Sequence, residues 1–311
     1  MKNNIKQTQE NLFVIIDGNH LIHRAYYAIQ NPLINSKGEQ TNAIFGFAGM
    51  LMNIIEIERP QYIAMTFDEK APTFRHEAYK EYKGTRKKSP DELKNQIPRI
   101  HDLVKAFNMP IFSKVGYEAD DLMGTLAVKA EKEGLTTYIV TADMDTFQLV
   151  TDNVFVASPF KGYREAILFD SEKVYKKHGI YPDKVIDYKA LVGDCGDNIK
   201  GVNGIGPKGA IQLLDQYKTL DGIYDHIDKI PQKVKEKLIN GRESAFFSKM
   251  LATIITDVEC DFSKKNVLID RLDYLGLDRF FEDIESKSLR NRLRKLMPEG
   301  KQVAEDQMSL F

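Results

Sequence analysis

The chain has 311 residues, of which 42% are hydrophobic, 29% are charged and 10% are aromatic, so it has room for a packed core in one large domain or two smaller ones. Its formal net charge of −1 means that any affinity for nucleic acid requires an uneven placement of charge along the chain. The two cysteines, Cys195 and Cys260, exclude a disulfide scaffold and a cysteine-based zinc site, and no apolar run is long enough to span a membrane. We therefore expect a cytoplasmic protein without membrane contacts.

Short apolar runs alternate with helical patterns through the first half of the chain. Residues 1–11 are polar and predict a flexible leader. Residues 12–17 form a continuous apolar run that ends in an acid, which is typical of a strand buried on both faces. Further strands are predicted over residues 62–67 and 136–141, and helices over about 41–58 and 118–133. This alternation predicts an α/β domain over residues 12–180, with a parallel, doubly wound sheet flanked by helices.

The second half of the chain is mostly helical. We expect a helical region over residues 181–297 that packs on the sheet domain, and a polar tail over residues 298–311. One segment of the first domain stands apart in charge, because residues 70–99 carry nine basic and four acidic side chains with aromatic residues between them. This composition favours a nucleic-acid surface, although a solvated basic face would have the same composition.

Nine carboxylates fall where a parallel sheet and its loops bring them together. Asp17, Asp68 and the pair Asp143 and Asp145 follow predicted strands, and the carboxyl ends of such strands form the ligand-binding edge of an open sheet. Two further groups complete the set: Glu118, Asp120 and Asp121 at a predicted helix start, and Asp194 and Asp197 in a glycine-flanked loop.

Each of these acids alone also has an ordinary structural explanation. Asp120 and Asp121 suit a helix cap, and Asp194 suits a turn. A cluster of carboxylates, however, costs about 1 kcal/mol for each close pair in water and about 4 kcal/mol at an effective dielectric constant near 20. It therefore persists only with bound cations, and ligands that are all oxygen favour Mg²⁺ or Mn²⁺ over zinc. The six histidines are scattered, and neither a nucleophile elbow nor a phosphate-binding P-loop is present.

The glycine cluster of residues 201–209 precedes an apolar helical run over residues 210–217. A plain turn between two helices is one explanation. The other is a hairpin in which Gly201, Gly204 and Gly206 let backbone N–H groups approach a phosphate, with Lys200 and Lys208 adding charge. Such a hairpin would grip one DNA strand through its backbone without reading bases.

Five segments, in this order, resemble the motifs of bacterial 5′→3′ exonucleases, the stand-alone relatives of the N-terminal nuclease domain of DNA polymerase I in the flap endonuclease superfamily. They read VIIDGNHLIHRAYYA, FDEKAPTFRHEAYKEYKGTR, GYEADD, TADMDTFQLV and GDCGDNIKGVNGIGPKGA. The resemblance extends from about residue 12 to residue 290. It implies a PIN-like sheet domain with a helical arch at about residues 70–99, and a helix–hairpin–helix near residues 196–217.

The resemblance also implies roles for individual residues. Two or more Mg²⁺ or Mn²⁺ ions would be bound. The first would be held by Asp17, Asp68, Glu118 and Asp120, with Asp121 alongside, and the second by Asp143, Asp145, Asp194 and Asp197. In the arch, Arg75, Lys83 and Arg86 would steer the scissile phosphate and the 5′ strand, Tyr82 would stack on a base, and Lys87 and Lys88 would contact DNA. The glycine hairpin would hold the duplex and, as often in this family, a K⁺ ion.

The function implied is a 5′→3′ exonuclease and flap endonuclease that uses two metal ions on DNA 5′ ends, nicks and flaps and on RNA primers, in replication and repair. The alternative is a non-catalytic DNA-structure-binding protein of the same fold. The last residues, with Gln307, Leu310 and Phe311, resemble the peptide that binds the bacterial sliding clamp, although a chance ending or a tail packed on its own domain remains open. We expect a monomer.

Overall fold

A six-stranded sheet and thirteen α-helices make up the part of the chain that the computed structural model describes, residues 9–29, 31–86, 88–159 and 163–296. The strands are β1 (Gln9–Asp17), β2 (Pro60–Thr66), β3 (Ile111–Phe112), β4 (Thr136–Val140), β5 (Val154–Ser158) and β6 (Ile167–Phe169). The helices of the first domain are α1 (Gly18–Ala28), α2 (Asn42–Glu58), α3 (Phe74–Ala78), α4 (Asp91–Ala106), α5 (Ala119–Lys132) and α6 (Ser171–His178). They are followed by α7 (Val185–Val192), α8 (Pro207–Tyr217), α9 (Leu220–Asp225), α10 (Gln232–Asn240), α11 (Arg242–Ala252), α12 (Tyr274–Asp283) and α13 (Lys287–Leu296). Short 3₁₀ helices cover Met144–Leu149, Tyr163–Glu165, Pro182–Lys184, Ile227–Lys229 and Ile269–Arg271.

The strands lie in the order β3-β2-β1-β4-β5-β6, and every neighbouring pair is parallel except β5 and β6. The predicted parallel sheet is therefore confirmed, with one antiparallel strand added at its edge. Strands β3 and β6 have two and three residues, which is too short for periodicity to reveal them. The predicted leader is wrong at its end, because β1 already begins at Gln9; residues 1–8 lie outside the described part of the chain.

Alternation along β1 explains why its sequence is apolar without interruption. Val14 and Ile16 face one side of the sheet, where α1, α2 and α4 cover them, whereas Phe13 and Ile15 face α5 on the other side. All four side chains are fully buried, because successive residues of a strand point to opposite faces and both faces of this strand are covered.

The predicted helical region of residues 181–297 divides between two cores. Helices α7 to α11 form a core of their own, with Leu191, Leu214 and Leu238 at its centre. Helices α12 and α13 instead return to the sheet domain, where Phe281 and Leu293 pack on the side of α2 and α4. Apolar residues repeated along α12 and α13 give each helix an apolar face, and this face packs against the core of the sheet domain.

The segment predicted as a helical arch consists of the five-residue helix α3, a series of turns up to Arg86, and the first part of α4. Lys87 lies outside the described residues, and Lys88 is exposed. None of the helices in the described ranges combines the length and the apolar character needed to cross a lipid bilayer.

Candidate active site

The carboxyl edge of the sheet between β1 and β4 is a topological switch point, since the chain goes from β1 to one side of the sheet and later returns to the other. Asp17, the last residue of β1, lies there and is 7% exposed. Its carboxylate accepts hydrogen bonds from the His20 backbone N–H at 2.9 Å, which caps α1, and from the Thr141 hydroxyl at 2.9 Å. This second bond ties the ends of β1 and β4 together at the carboxylate.

Four of the nine predicted acids have no basic partner: within the described ranges, no lysine or arginine forms a salt bridge with Asp17, Asp68, Asp120 or Asp143. Asp68 accepts hydrogen bonds from Asn19 Nδ2 at 2.6 Å and from the Ala119 N–H at 2.7 Å. Asp143 caps the 3₁₀ helix Met144–Leu149 through the N–H of its second residue, at 2.9 Å. Asp120 lies in the first turn of α5. Asp17, Asp68 and Asp143 are thus held by neutral donors, and no basic side chain of the described ranges is in direct contact with any of the four, although the charge of nearby Lys83 acts on Asp120.

Burial and mutual repulsion shift the protonation of this group. Burial raises the pKa of Asp17 to about 6, and the charges of Asp68 and Asp143 add to the effect. Burial likewise raises the pKa of Asp120 well above its usual range, together with the charges of Asp143 and Asp17. A bound cation would reverse both effects, because an opposite charge favours the ionised form.

The other five acids are paired with basic side chains. Lys83 Nζ lies 2.7 Å from Glu118 Oε1, and Arg86 pairs with Asp197. Arg75 pairs with Asp121 and Glu118, and Lys189 bridges Asp145 and Asp194. The charge and hydrogen bond of Lys189 and two backbone N–H groups outweigh the opposing effect of burial and lower the pKa of Asp194. The nine acids are therefore divided by the structure into an uncompensated group of four and a compensated group of five.

Arg75 and Asp121 form a buried pair with exposures of 2% and 0%. The guanidinium contacts both carboxylate oxygens at 2.8 Å and donates to the Leu251 and Thr253 carbonyl oxygens. Asp121 also accepts from the Ile255 N–H at 2.8 Å. Arg75 thus joins α3 to α5 and to the end of α11, and this placement argues against the predicted contact of Arg75 with a phosphate and of Asp121 with a metal ion.

Tyr82, Lys83 and Arg86 belong to the turns that follow α3. The Tyr82 hydroxyl contacts Glu118 and Asp197, each at 3.1 Å, and its residue is only 4% exposed, so its ring offers no face to a base in this arrangement. Lys83 and Arg86 line a cavity of about 450 Å³ that also contains Asp68 and Glu118. The two cations therefore share this cavity with Asp68, one of the four uncompensated carboxylates, and their contact with a scissile phosphate stays a prediction.

The loop between α7 and α8 is a tight hairpin that presents Asp194 and Asp197. Asp194 and Ile199 exchange two backbone hydrogen bonds of 2.8 Å. Gly193 and Gly201 have φ values of +79° and +64°, and their backbones are in direct contact, where a Cβ atom on either would lie within 2.4 Å of main chain. Only glycine fits both the conformation and the approach.

The glycines proposed for phosphate contact differ in their availability. Gly201 is buried, and its N–H donates to the Ser248 hydroxyl at 3.1 Å, so this group already has a partner. The Gly204 carbonyl accepts from Lys237 Nζ at 3.0 Å. Gly206 and Lys208 are exposed at the start of α8, and Lys200 is exposed earlier in the loop, with its ammonium group 5.9 Å from the centre of the Tyr79 ring.

The four uncompensated side chains offer carboxylate oxygens, which are the ligands that Mg²⁺ and Mn²⁺ prefer. In the conformation observed, no three His, Cys, Asp or Glu side chains of the described ranges are arranged as ligands of one metal ion. The uncompensated carboxylates are nevertheless close enough for the charges of Asp68 and Asp143 to raise the pKa of Asp17, and a divalent cation would relieve that repulsion.

Three residues of the site were not predicted. Thr141 and Asn19 orient carboxylates, and a single hydroxyl or amide near a strand end carries no distinctive sequence signal. Lys189 is different, since it interrupts the otherwise apolar second half of α7 five residues before Asp194, and an isolated lysine in such a run indicates a buried partner.

Comparison with known proteins matches the chain to one family along most of its length. Residues 12–179 match the model of the N-terminal resolvase-like domain of 5′-3′ exonuclease, and residues 180–275 match that of its C-terminal SAM fold. The 5′-3′ exonuclease of Aquifex aeolicus is 38% identical over 288 residues, which cover 93% of this chain and 97% of that protein. The chain belongs to the 5′-3′ exonuclease family. The predictions of this nuclease class and of its fold are therefore confirmed.

Two further similarities place the chain within its relatives. DNA polymerase I of Bacillus subtilis is 40% identical over 302 residues, and the match covers 95% of this chain but 34% of the polymerase, so the chain spans about a third of that relative. The bacteriophage T5 flap endonuclease, in a pseudo-enzyme-product complex with DNA and metal ions, superposes with a TM-score of 0.64 at 23% identity, covering 88% of this chain and 98% of that one. At this identity the structural similarity concerns the fold.

Proposed function

We propose that the protein is a divalent-metal-dependent 5′ nuclease that hydrolyses phosphodiester bonds at the 5′ ends, nicks and flaps of DNA and of RNA primers paired to DNA, in replication and repair. The observation that carries the proposal is the uncompensated group of Asp17, Asp68, Asp120 and Asp143 at the switch point, beside Lys83 and Arg86. The T5 relative, described with DNA and metal ions, supports it.

Mg²⁺ or Mn²⁺ would be held by these four carboxylates, with Glu118 at their border. When bound, the ion supplies Lewis-acid stabilisation of the charged phosphoryl transition state. Asp17 is positioned for this task by its bonds to the His20 N–H and the Thr141 hydroxyl, which leave its carboxylate fixed at the end of β1. Burial of the site strengthens each electrostatic interaction inside it.

Lys83 and Arg86 would stabilise the scissile phosphate. In the free protein they are paired with Glu118 and Asp197, and the Arg86 side chain is 51% exposed. A phosphate that enters the cavity lined by Lys83 and Arg86 would contact both cations. Because phosphate is negatively charged like the carboxylates of Glu118 and Asp197, it can replace them as the partner of each cation. Positive charge placed where negative charge develops is the main means by which such residues accelerate a reaction.

The hairpin between α7 and α8 would bind the duplex through its exposed side. Gly206 and Lys208 are exposed at the start of α8, where a helix favours phosphate, and Lys200 is exposed earlier in the same loop. Backbone carbonyl oxygens of the same loop would be the ligands of a K⁺ ion. The free thiol of exposed Cys195 fits a reducing cytoplasm, where we propose that the protein acts as a monomer.

A labelled 5′-flap substrate tests the proposal. We expect cleavage with Mg²⁺ or Mn²⁺, with products that carry 5′-phosphates, and loss of cleavage in Asp143→Asn. The matched control is Asp152→Asn, an exposed aspartate away from the site, which should cleave at the wild-type rate. Cleavage in excess EDTA would contradict the proposal. Flap binding without product at any metal concentration would favour the non-catalytic alternative.

A clamp contact is the second partner that we propose, and its residues Gln307, Leu310 and Phe311 lie outside the described part of the chain. Deletion of residues 307–311 should abolish retention on an immobilised bacterial sliding clamp and leave cleavage of a bare flap unchanged. If the shortened chain were still retained on the clamp, the proposal that these residues bind the clamp would be wrong.

A further inference from the structure

Lys189 lies among the acids that the resemblance assigns to a second metal ion. Its ammonium group donates to Asp145 Oδ1 and, at 2.6 Å, to Asp194 Oδ2. The residue is 7% exposed although lysine is among the side chains least often buried. Two carboxylates, one from the 3₁₀ helix Met144–Leu149 and one from the loop after α7, thus share one fixed cation.

Every part of this bridge is anchored. The Lys189 carbonyl accepts from the Gly193 N–H at 2.8 Å where α7 ends. The other Asp194 oxygen accepts from the Gly196 N–H at 2.7 Å, and the Asp145 N–H donates to Asp143 at 2.9 Å. Helix α7 also packs against α11 and against the 3₁₀ helix that carries Asp145. The bridge is therefore part of the packed structure and not a contact between mobile surface chains.

The ammonium group occupies the space that a bridging metal ion would need. Mg²⁺ binds oxygen at about 2.0–2.1 Å and an ammonium contacts carboxylate oxygen at about 2.7–2.9 Å, so both cannot lie between the same two oxygens. Asp197, another member of the predicted second set, is paired with Arg86. Of that set only Asp143 lacks a basic partner among the described residues.

We propose that the Lys189 ammonium is a built-in cation that takes the place of a divalent ion between Asp145 and Asp194, so that divalent ions bind this chain only at the uncompensated group of four. The inference rests on the proposed function for the metal requirement. It deepens that function by assigning the charge at the second position to the protein itself.

Mn²⁺ binding to the full, metal-free chain without DNA tests the inference, with the unbound ion counted by its electron paramagnetic resonance signal. We expect Lys189→Met to bind one more Mn²⁺ per chain than the wild type, and Lys189→Arg to bind the wild-type number. The matched control is Lys249→Met, because Lys249 also bridges two aspartates, Asp187 at 2.9 Å and Asp221 at 3.1 Å, outside the site. It should bind the wild-type number.

A second variant keeps the test independent of how well Lys189→Met folds. Asp145→Asn in the wild-type background should leave the Mn²⁺ number unchanged, and loss of one ion would overturn the inference. An unchanged number in folded Lys189→Met would overturn it as well. If Lys189→Met gains an ion while Asp143→Asn loses none, Lys189 does take the place of an ion between Asp145 and Asp194, but the assignment of the remaining ions to the four carboxylates is overturned together with the proposed site.

Discussion

Arg75 and Arg86 carry the same charge in the same segment and have different roles because their burial differs. Arg75 is enclosed with Asp121 between helices, whereas the Arg86 side chain is half exposed at the cavity. The family resemblance implied a phosphate role for both, and spacing within a basic run does not show which side chain turns inwards. Burial of a charge follows from tertiary packing, which only the structure shows.

Substitution of the two arginines should therefore have opposite effects. We expect Arg75→Met to lower the free energy of unfolding by about 3–5 kcal/mol, because it leaves the buried Asp121 carboxylate without a partner. Arg86→Met should change it by less than about 1 kcal/mol, as exposed pairs contribute little, while it slows flap cleavage by about 10²-fold. Urea unfolding and single-turnover cleavage measure the two quantities. An Arg75→Met protein of wild-type stability would contradict the structural role.

The raised pKa of Asp17 predicts a pH dependence of stability in the metal-free protein. Burial raises this pKa from 3.8 to about 6, so between these values the folded protein binds a proton that the unfolded chain has released. The free energy of unfolding contributed by Asp17 is therefore present at low pH and is lost as the pH rises through about 4 to 6.

Asp17→Asn should remove this dependence. At neutral pH in EDTA we expect the variant to be more stable than the wild type by about 1–3 kcal/mol, because asparagine keeps the helix cap without the charge. At pH 4 the two proteins should be closer in stability. Urea unfolding at both pH values, with Asp152→Asn as the control, checks the expectation, and a variant less stable than the wild type at neutral pH would refute it.

At the scale of secondary-structure elements, the hairpin between α7 and α8 determines where Asp194 and Asp197 lie. Its conformation depends on glycine at two positions of positive φ that are also in backbone contact. The glycine pattern left a plain turn and a hairpin open, the family resemblance implied the hairpin, and neither showed which glycines shape the loop and which are exposed. That distinction comes from packing, since Gly201 is closed in by α11 through Ser248 whereas Gly206 is open to solvent.

Gly193→Ala should distort this hairpin. A Cβ atom at Gly193 would lie 2.4 Å from the Ile199 carbonyl oxygen, whereas one at Gly38, with a similar φ of +77°, would meet nothing within 4 Å. We expect Gly38→Ala to cost about 1–2 kcal/mol of stability through backbone conformation alone. Gly193→Ala should cost clearly more and also slow flap cleavage, as measured by urea unfolding and single-turnover rates. Equal losses in the two variants would show that the contact is unimportant.

At the scale of the whole molecule, the sequence predicted the sheet and its acidic edge because both follow from local patterns. Apolar runs ending at Asp17, Asp68 and Asp143 locate three strands, and parallel topology brings their ends together. The return of α12 and α13 to the sheet domain was not predictable in this way. Their apolar stripes show that each helix has a buried side, but not which of two cores buries it.

Substitution of Phe281 tests whether α12 packs on the sheet domain. It is fully buried against the sheet-domain core, whereas Leu275 on the same helix is 47% exposed. We expect Phe281→Ala to cost about 3–5 kcal/mol of stability, and Leu275→Ala to stay within about 0.5 kcal/mol of the wild type. Urea unfolding measures both. If Phe281→Ala changed the free energy of unfolding only slightly, α12 would not be needed for the stability of the sheet domain.

The edges of the sheet also bear on how the chain behaves at high concentration. The backbone groups on the outer side of β2 have two sets of partners. Strand β3 pairs with the end of β2, and the Ile63 N–H donates to the Val267 carbonyl oxygen at 2.7 Å. At the opposite end, β6 has three residues. Long unpaired edges are the usual templates for strand addition between molecules, and this sheet presents little of either edge to a neighbour. Concentrated solutions should therefore resist the β-mediated self-association to which open sheets are prone.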